Sequence, residues 1–167
     1  MDLSLRNLSG EPVSLNKFMD GRKGMVIIFL APDCPLSQYY TLPLKNLFGD
    51  YSELIAFIGI IPGKDSGMEE VLQYKSRYHI PFDLLYDEEL KLTRKLKAAI
   101  TPEVFLLNKN MEVIYSGAID DAAVDLTVKR QVVSKHYLKD AVESMLNNKY
   151  VSVKKTKPVG CFIERRK

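Results

Sequence analysis

The 167-residue chain holds no tryptophan, two histidines and two cysteines, Cys34 and Cys161. Two cysteines are too few for a disulfide-stapled scaffold, so each must be read singly as a packing or a reacting group. No apolar stretch nears the roughly 20 residues that span a bilayer, and the longest, Met25 to Ala31, has the length of a buried strand. Charge of one sign is scarce too. Twenty-four Lys and Arg against 21 Asp and Glu leave +3, without the basic face of a phosphate binder, so no nucleic-acid partner is expected. Basic residues gather at the two ends of the tail, at Lys154-Lys155-Thr156-Lys157 and Arg165-Arg166-Lys167, and read as a solvated, mobile end. Met1 runs at once into Asp2 and an extended segment, so no signal peptide is expected. Internal repeats and low-complexity segments are lacking.

What is present is a 46% apolar chain of one domain's length, enough for a packed core. Leu3 to Leu8 alternates loosely before a turn at Ser9-Gly10-Glu11-Pro12. Met25 to Leu30 is a β-branched and aromatic run suited to a strand covered on both faces, and Ala31-Pro32-Asp33-Cys34-Pro35 breaks it. Leu36 to Phe48 predicts a helix, kinked where Pro43 removes a backbone donor. A strand over Leu54 to Ile61, a helix over Met68 to Tyr78, a short strand at Phe82 to Tyr86 and a helix from about Glu88 to Lys97 follow. Val104 to Leu107 and Val113 to Tyr115 predict a hairpin through Asn108-Lys109-Asn110-Met111, with Asn supplying a positive φ. Val132, Val133, Tyr137, Ala141, Met145 and Leu146 have the spacing of a last long helix. Alternating elements plus a hairpin predict an α/β fold with a mixed, helix-flanked central sheet, as a domain over residues 1–148 and a tail over 149–167.

Cys34 falls between a buried strand and a helix, where unpaired N–H groups and the helix dipole favour an anion. A thiolate is such an anion, and this position is expected to lower its pKa. Pro35 takes the first helical position, where its missing N–H costs nothing, and Ser37 is placed to hydrogen-bond the thiolate. A buried, inert Cys is the alternative, and a position inside the strand would suit it better than this break. Tyr40 is expected to pack and Tyr39 to border a groove. Asp120-Asp121 are expected in a helix N-cap or a solvated loop rather than a cation site.

Strand Met25–Leu30, Cys34-Pro35-Leu36-Ser37, a helix with an internal Pro43 and the later Thr101-Pro102 before a hairpin resemble the thioredoxin-like superfamily. More narrowly, the chain resembles its redoxin branch, the alkyl hydroperoxide reductase and thiol-specific antioxidant group, from about Leu3 to Leu146. The resemblance implies a cis Thr101–Pro102 bond, a Pro102 loop against Cys34, and a Thr101 backbone that pairs with an incoming peptide or disulfide.

The departures from that family narrow the chemistry. Ser37 stands where oxidoreductases carry the second Cys of Cys-x-x-Cys, so no neighbouring thiol resolves a mixed disulfide. Ile28 stands at the position of the thioredoxin buried acid. Glu103 is the candidate replacement, or else an ordinary solvent-facing strand residue. Ile27 and Ala31 occupy the peroxiredoxin Pro and Thr positions, and Thr101-Pro102 the place of its Arg, which lowers the expectation of peroxidase activity. Cys161, within the apolar Val159-Gly160-Cys161-Phe162-Ile163, is the candidate distal resolving thiol, as similar redoxin sequences can end in a Gly-Cys segment; simple packing under the tail is its alternative.

Metal binding by Cys34, Cys161, His79 and His136 and a non-catalytic binding module with a vestigial Cys34 are the competing readings. The expectation is a thiol–disulfide oxidoreductase or redoxin-type antioxidant protein. Cys34 is its attacking thiolate, Pro35 and Ser37 stabilise that thiolate, and Thr101, Pro102 and Glu103 position substrate. No cofactor or metal is implied. Partners are a protein or small-molecule disulfide, or a peroxide, with an external thiol reductant. The cell envelope is favoured over the cytoplasm.

Overall fold

The computed structural model describes residues 3–165. Met1 and Asp2, on which the signal-peptide expectation rests, lie outside the described residues, as do Arg166 and Lys167 of the terminal basic run. β1 (Leu5–Arg6) and β2 (Pro12–Val13) form an antiparallel pair. Asn7 Oδ1 ties their turn by accepting the Ser9 and Glu11 N–H groups at 3.0 and 2.9 Å. After a short 3-10 turn over Leu15–Met19 comes β3 (Gly24–Phe29), whose six residues are all buried.

Because strand side chains alternate, β3 feeds two cores. Val26 and Ile28 join Cys34, Leu36, Tyr40 and Leu44 on one face of the sheet. Met25, Ile27 and Phe29 join Leu5, Ile58 and Leu85 on the other. Each such fully buried side chain contributes roughly 1.5–3 kcal/mol relative to exposure.

The helix expected over Leu36 to Phe48 is two helices, α1 (Pro35–Tyr39) and α2 (Thr41–Tyr51), parted at Tyr40. Pro43 has no N–H for the carbonyl of Tyr39 and its ring crowds that carbonyl, so the break falls one turn before it. β4 (Ile55–Pro62) and α3 (Met68–Arg77) follow, the latter with Glu69 and Glu70 in its first turn and Lys75 and Arg77 in its last, as the helix dipole favours. β5 (Asp83–Asp87) leads into α4 (Lys91–Leu96), which starts later than expected because Leu90 is left-handed, φ 56°. The buried Asp87 carboxylate satisfies that helix start, accepting from Thr93 N and Oγ1 at 2.8 and 2.7 Å.

β6 (Ile100–Thr101), β7 (Glu103–Asn108) and β8 (Val113–Gly117) complete the site-bearing region. In the β7–β8 hairpin the positive φ falls on Met111, at 62°, and not on an Asn. Asn108 serves instead through its side chain, which accepts from Asn110 N and Glu112 N at 2.9 and 3.0 Å. The seven-stranded sheet runs β2-β1-β5-β4-β3-β7-β8, with β3, β4 and β5 parallel and the outer pairings antiparallel. Among the described residues no helix is long and apolar enough to cross a membrane.

The last helix, α5, spans Tyr137–Leu146 and leaves out Val132 and Val133. Val132 is 77% exposed in a loop pinned by the Asp121 carboxylate, which accepts the Ser134 and Lys135 N–H groups at 2.9 and 3.1 Å. The tail differs from its expectation more deeply. Lys154 to Thr156 docks alongside β8: Ser116 N–H donates to Lys154 O and Thr156 N–H to Ser116 O, both at 3.0 Å. The chain then runs to β9 (Cys161–Phe162), which pairs with β6 in a separate two-stranded sheet.

Candidate active site

β3 ends at Phe29, and Cys34 occupies the cap position just before α1 with an extended backbone, φ −81° and ψ 121°. Local bonds fix that turn. Cys34 N–H donates to Ala31 O at 3.1 Å, Gln38 N–H to Cys34 O at 3.0 Å, and Gln38 Nε2 to Pro32 O at 2.8 Å. Pro35 opens α1, where no donor is lost. Ser37 is buried, and its Oγ accepts the Ala31 N–H at 3.2 Å while its carbonyl accepts the Tyr74 hydroxyl at 2.8 Å. Ser37 therefore ties the loop before Cys34 to the helix after it. Burial pushes the Tyr74 phenol well above its ordinary pKa and keeps it a donor.

The second wall is the segment between α4 and β7. The Thr101–Pro102 peptide is cis. Cys34 Sγ lies 3.2 Å from the Thr101 carbonyl oxygen. Glu103, 8% exposed, is no solvent-facing strand residue: its carboxylate accepts Ala99 N–H at 2.8 Å and Ile100 N–H at 3.2 Å. The same carboxylate thus holds β6 in place from behind.

Cys161 closes the site. It is bonded to Cys34, 127 residues away, with a Cα–Cα separation of 6.1 Å, within the roughly 4.4–6.8 Å a disulfide spans. The bond lies beside the Pro102 loop because Thr101 pairs with Cys161 and Ile100 with Phe162 in antiparallel register. Gly160 is what permits this approach, since a Cβ there would run into the Thr101 carbonyl. Cys34 is 1% exposed, whereas Cys161 is half-buried and Phe162 stands out at 85%. Beside the disulfide opens a cleft of about 410 Å³, lined among others by Asp33, Cys34, Asp65, Glu70 and Cys161, with no Lys or Arg among its described walls.

Other expected residues sit apart from the sulfurs. Tyr40 is buried and donates to Asp120 Oδ1 at 2.7 Å, and burial followed by that bond pushes its phenol pKa up. Asp120 is therefore a packed partner and caps no helix. Tyr39 is partly exposed under the Lys129 ammonium, 5.0 Å from its ring centre. Ile28 is fully buried in the core. Among the described residues no three His, Cys, Asp or Glu side chains stand close enough together to hold a metal ion, so Cys34, Cys161, His79 and His136 form no shared centre. Asp65 and Glu70 of the cleft carried no sequence signal, since neither lies near Cys34 in the chain.

With this geometry in view, the sequence matches the AhpC/TSA family over residues 1–116. The chain belongs to the AhpC/TSA family. No curated protein matches it. Among solved structures, an uncharacterised conserved protein from Geobacillus kaustophilus superposes with a TM-score of 0.86 at 23% identity, covering 98% of this chain and 88% of that one. A hypothetical protein from Sinorhizobium meliloti 1021 gives 0.84 at 25% identity, covering 95% and 88%. A secreted Mycobacterium tuberculosis disulfide oxidoreductase, described as homologous to E. coli DsbE, gives 0.57 at 18% identity, covering 67% and 81%. The fold is thioredoxin-like, and this AhpC/TSA chain carries its cysteine pair as Cys34 and a thiol from the tail.

Proposed function

We propose that the protein is a thiol–disulfide oxidoreductase in which Cys34 attacks and Cys161 resolves. The observation that carries this reading is the Cys34–Cys161 bond set beside the Pro102 loop. In the reduced protein the Cys34 thiolate attacks one sulfur of a disulfide R–S–S–R, forming Cys34–S–S–R and releasing RS⁻. The Cys161 thiolate then displaces the second RS⁻ from Cys34, and R–S–S–R has been reduced by two electrons. A peroxide ROOH enters the same scheme: the Cys34 thiolate takes its outer oxygen as a sulfenic acid, the O–O bond breaks and ROH leaves, and water leaves as Cys161 closes the disulfide.

Return to the dithiol requires an external thiol. Its thiolate attacks Cys161, the more exposed of the two residues, and Cys34 leaves at the helix start; a second thiolate then displaces Cys161 and carries the external thiol away as its own disulfide. Thr101, Pro102 and the Glu103 carboxylate shape the wall against which these sulfurs react, and Pro35 and Ser37 hold the Cys34 turn. Residues 1–148 carry the attacking thiol and residues 149–167 form the resolving arm. The likeness in fold to a secreted disulfide oxidoreductase supports the cell envelope as its compartment.

The test is turnover of hydroxyethyl disulfide with a thiol reductant. Cys34→Ser is expected to lose activity, and Cys161→Ser, treated with the disulfide before any reductant is added, to accumulate a mixed disulfide on Cys34. Wild-type turnover by Cys34→Ser would reject the reading.

A further inference from the structure

The arm that brings Cys161 to Cys34 is held by bonds that do not involve sulfur. On its N-terminal side, Lys154 and Thr156 pair with Ser116 through two backbone bonds. Tyr115 donates to Ala118 O at 2.6 Å, so the Thr156 hydroxyl donates to Tyr115 at 2.6 Å and accepts Ala118 N–H at 2.9 Å. Gly117 lets the arm lie directly on β8, since a Cβ there would run into Thr156. On the far side of Cys161, Ile163 N–H donates to Ala99 O at 2.9 Å and Arg165 Nη2 to Ala98 O at 2.7 Å. Between these anchors β9 occupies the edge of Ile100–Thr101 that lies on the side of Cys161.

None of these contacts runs through sulfur, so the arm is expected to stay docked over Cys34 in the dithiol form. An extended polypeptide that would add a strand to Ile100–Thr101 finds that edge occupied by the chain's own backbone. What remains open to Cys34 is the cleft of about 410 Å³.

We infer, resting on the redox reading above, that the disulfide substrate is a low-molecular-weight one and not the disulfide of a polypeptide. The arm is at once the resolving group and the element that excludes peptides.

The experiment follows oxidation of Cys34 in the reduced full-length protein by acid quench, alkylation and peptide mass spectrometry. The oxidants are hydroxyethyl disulfide and insulin. Gly160→Val drives a side chain into the Thr101 carbonyl and lifts the arm; Arg165→Ala, which removes the Ala98 bond, is the second variant. Hydrogen exchange on the reduced wild type reports the docking itself. The expected result is that the Thr156 and Ile163 amides stay protected after reduction. The insulin-to-small-disulfide rate ratio then rises on the order of tenfold in Gly160→Val, and by less in Arg165→Ala. Loss of protection at those amides on reduction, or an unchanged ratio in both variants, overturns the inference. A Cys34 inert to both oxidants overturns the redox reading, and the substrate class with it.

Discussion

Thr101 and Cys161 face each other across an antiparallel pair, and that pairing delivers the tail thiol to Cys34. The resemblance to thioredoxin-like proteins assigns the Thr101 backbone to an incoming partner. Here the partner in place is the chain's own residue 161.

The cross-link closes a loop of 127 residues, which in the chain-entropy account is worth about 5 kcal/mol, the upper end of a measured range of roughly 0–5 kcal/mol. Reduction is therefore expected to lower Tm on the order of 10 °C. Calorimetry with and without reductant checks this, and Cys161→Ser is expected to behave like the reduced protein whatever the redox state of the buffer.

Glu103 is expected to matter through the backbone it holds. Glu103→Ala leaves the Ala99 and Ile100 N–H groups without their acceptor, at about 1–3 kcal/mol of stability. Glu103→Gln keeps a carbonyl oxygen for them and is expected to lose less. Chemical denaturation ranks the variants.

Helix α1, the cis Thr101–Pro102 bond and the sheet around β3 were legible because each rests on local chemistry: a proline at a helix start, a strong buried run, a family motif. Three features were not. The break at Tyr40 was expected only as a kink, because the sequence shows Pro43 but not how neighbours settle the lost bond. The loop holding Val132 mimics helical spacing and is fixed by Asp121, eleven positions away. The docked tail is the largest departure. Its lysines read as solvent-facing, and the backbone bonds of Lys154 and Thr156 to Ser116 leave no mark on side-chain composition. Cys161 itself was visible, but that Gly160 would lie on Thr101 depended on the fold.

Asp121 supplies a pH signature. The Ser134 hydroxyl, then the Lys135 and Ser134 N–H groups, hold its pKa down to about 2. A depressed folded-state pKa stabilises the fold above the ordinary carboxylate range, and the contribution is lost as pH falls from about 4 through about 2. Ser134→Ala is expected to raise the Asp121 pKa and move this loss to higher pH, read by NMR titration of the side-chain carboxyl.

Asp33, Asp65 and Glu70 line the cleft beside the disulfide. Cystamine, which is cationic, is expected to oxidise Cys34 faster than the dianionic dithiodiglycolate, and added salt to shrink the difference. Glu70→Gln is expected to narrow the gap as well. Stopped-flow oxidation at low and high ionic strength measures it.

The central claim is that Cys34 and Cys161 form one reversible couple. Peptide mapping of the protein after full reduction, mild oxidation and renewed reduction tests it most directly. A single intramolecular Cys34–Cys161 bond is expected to appear on oxidation and to return to two thiols on reduction. Two free thiols after oxidation, or bonds only between chains, would contradict it.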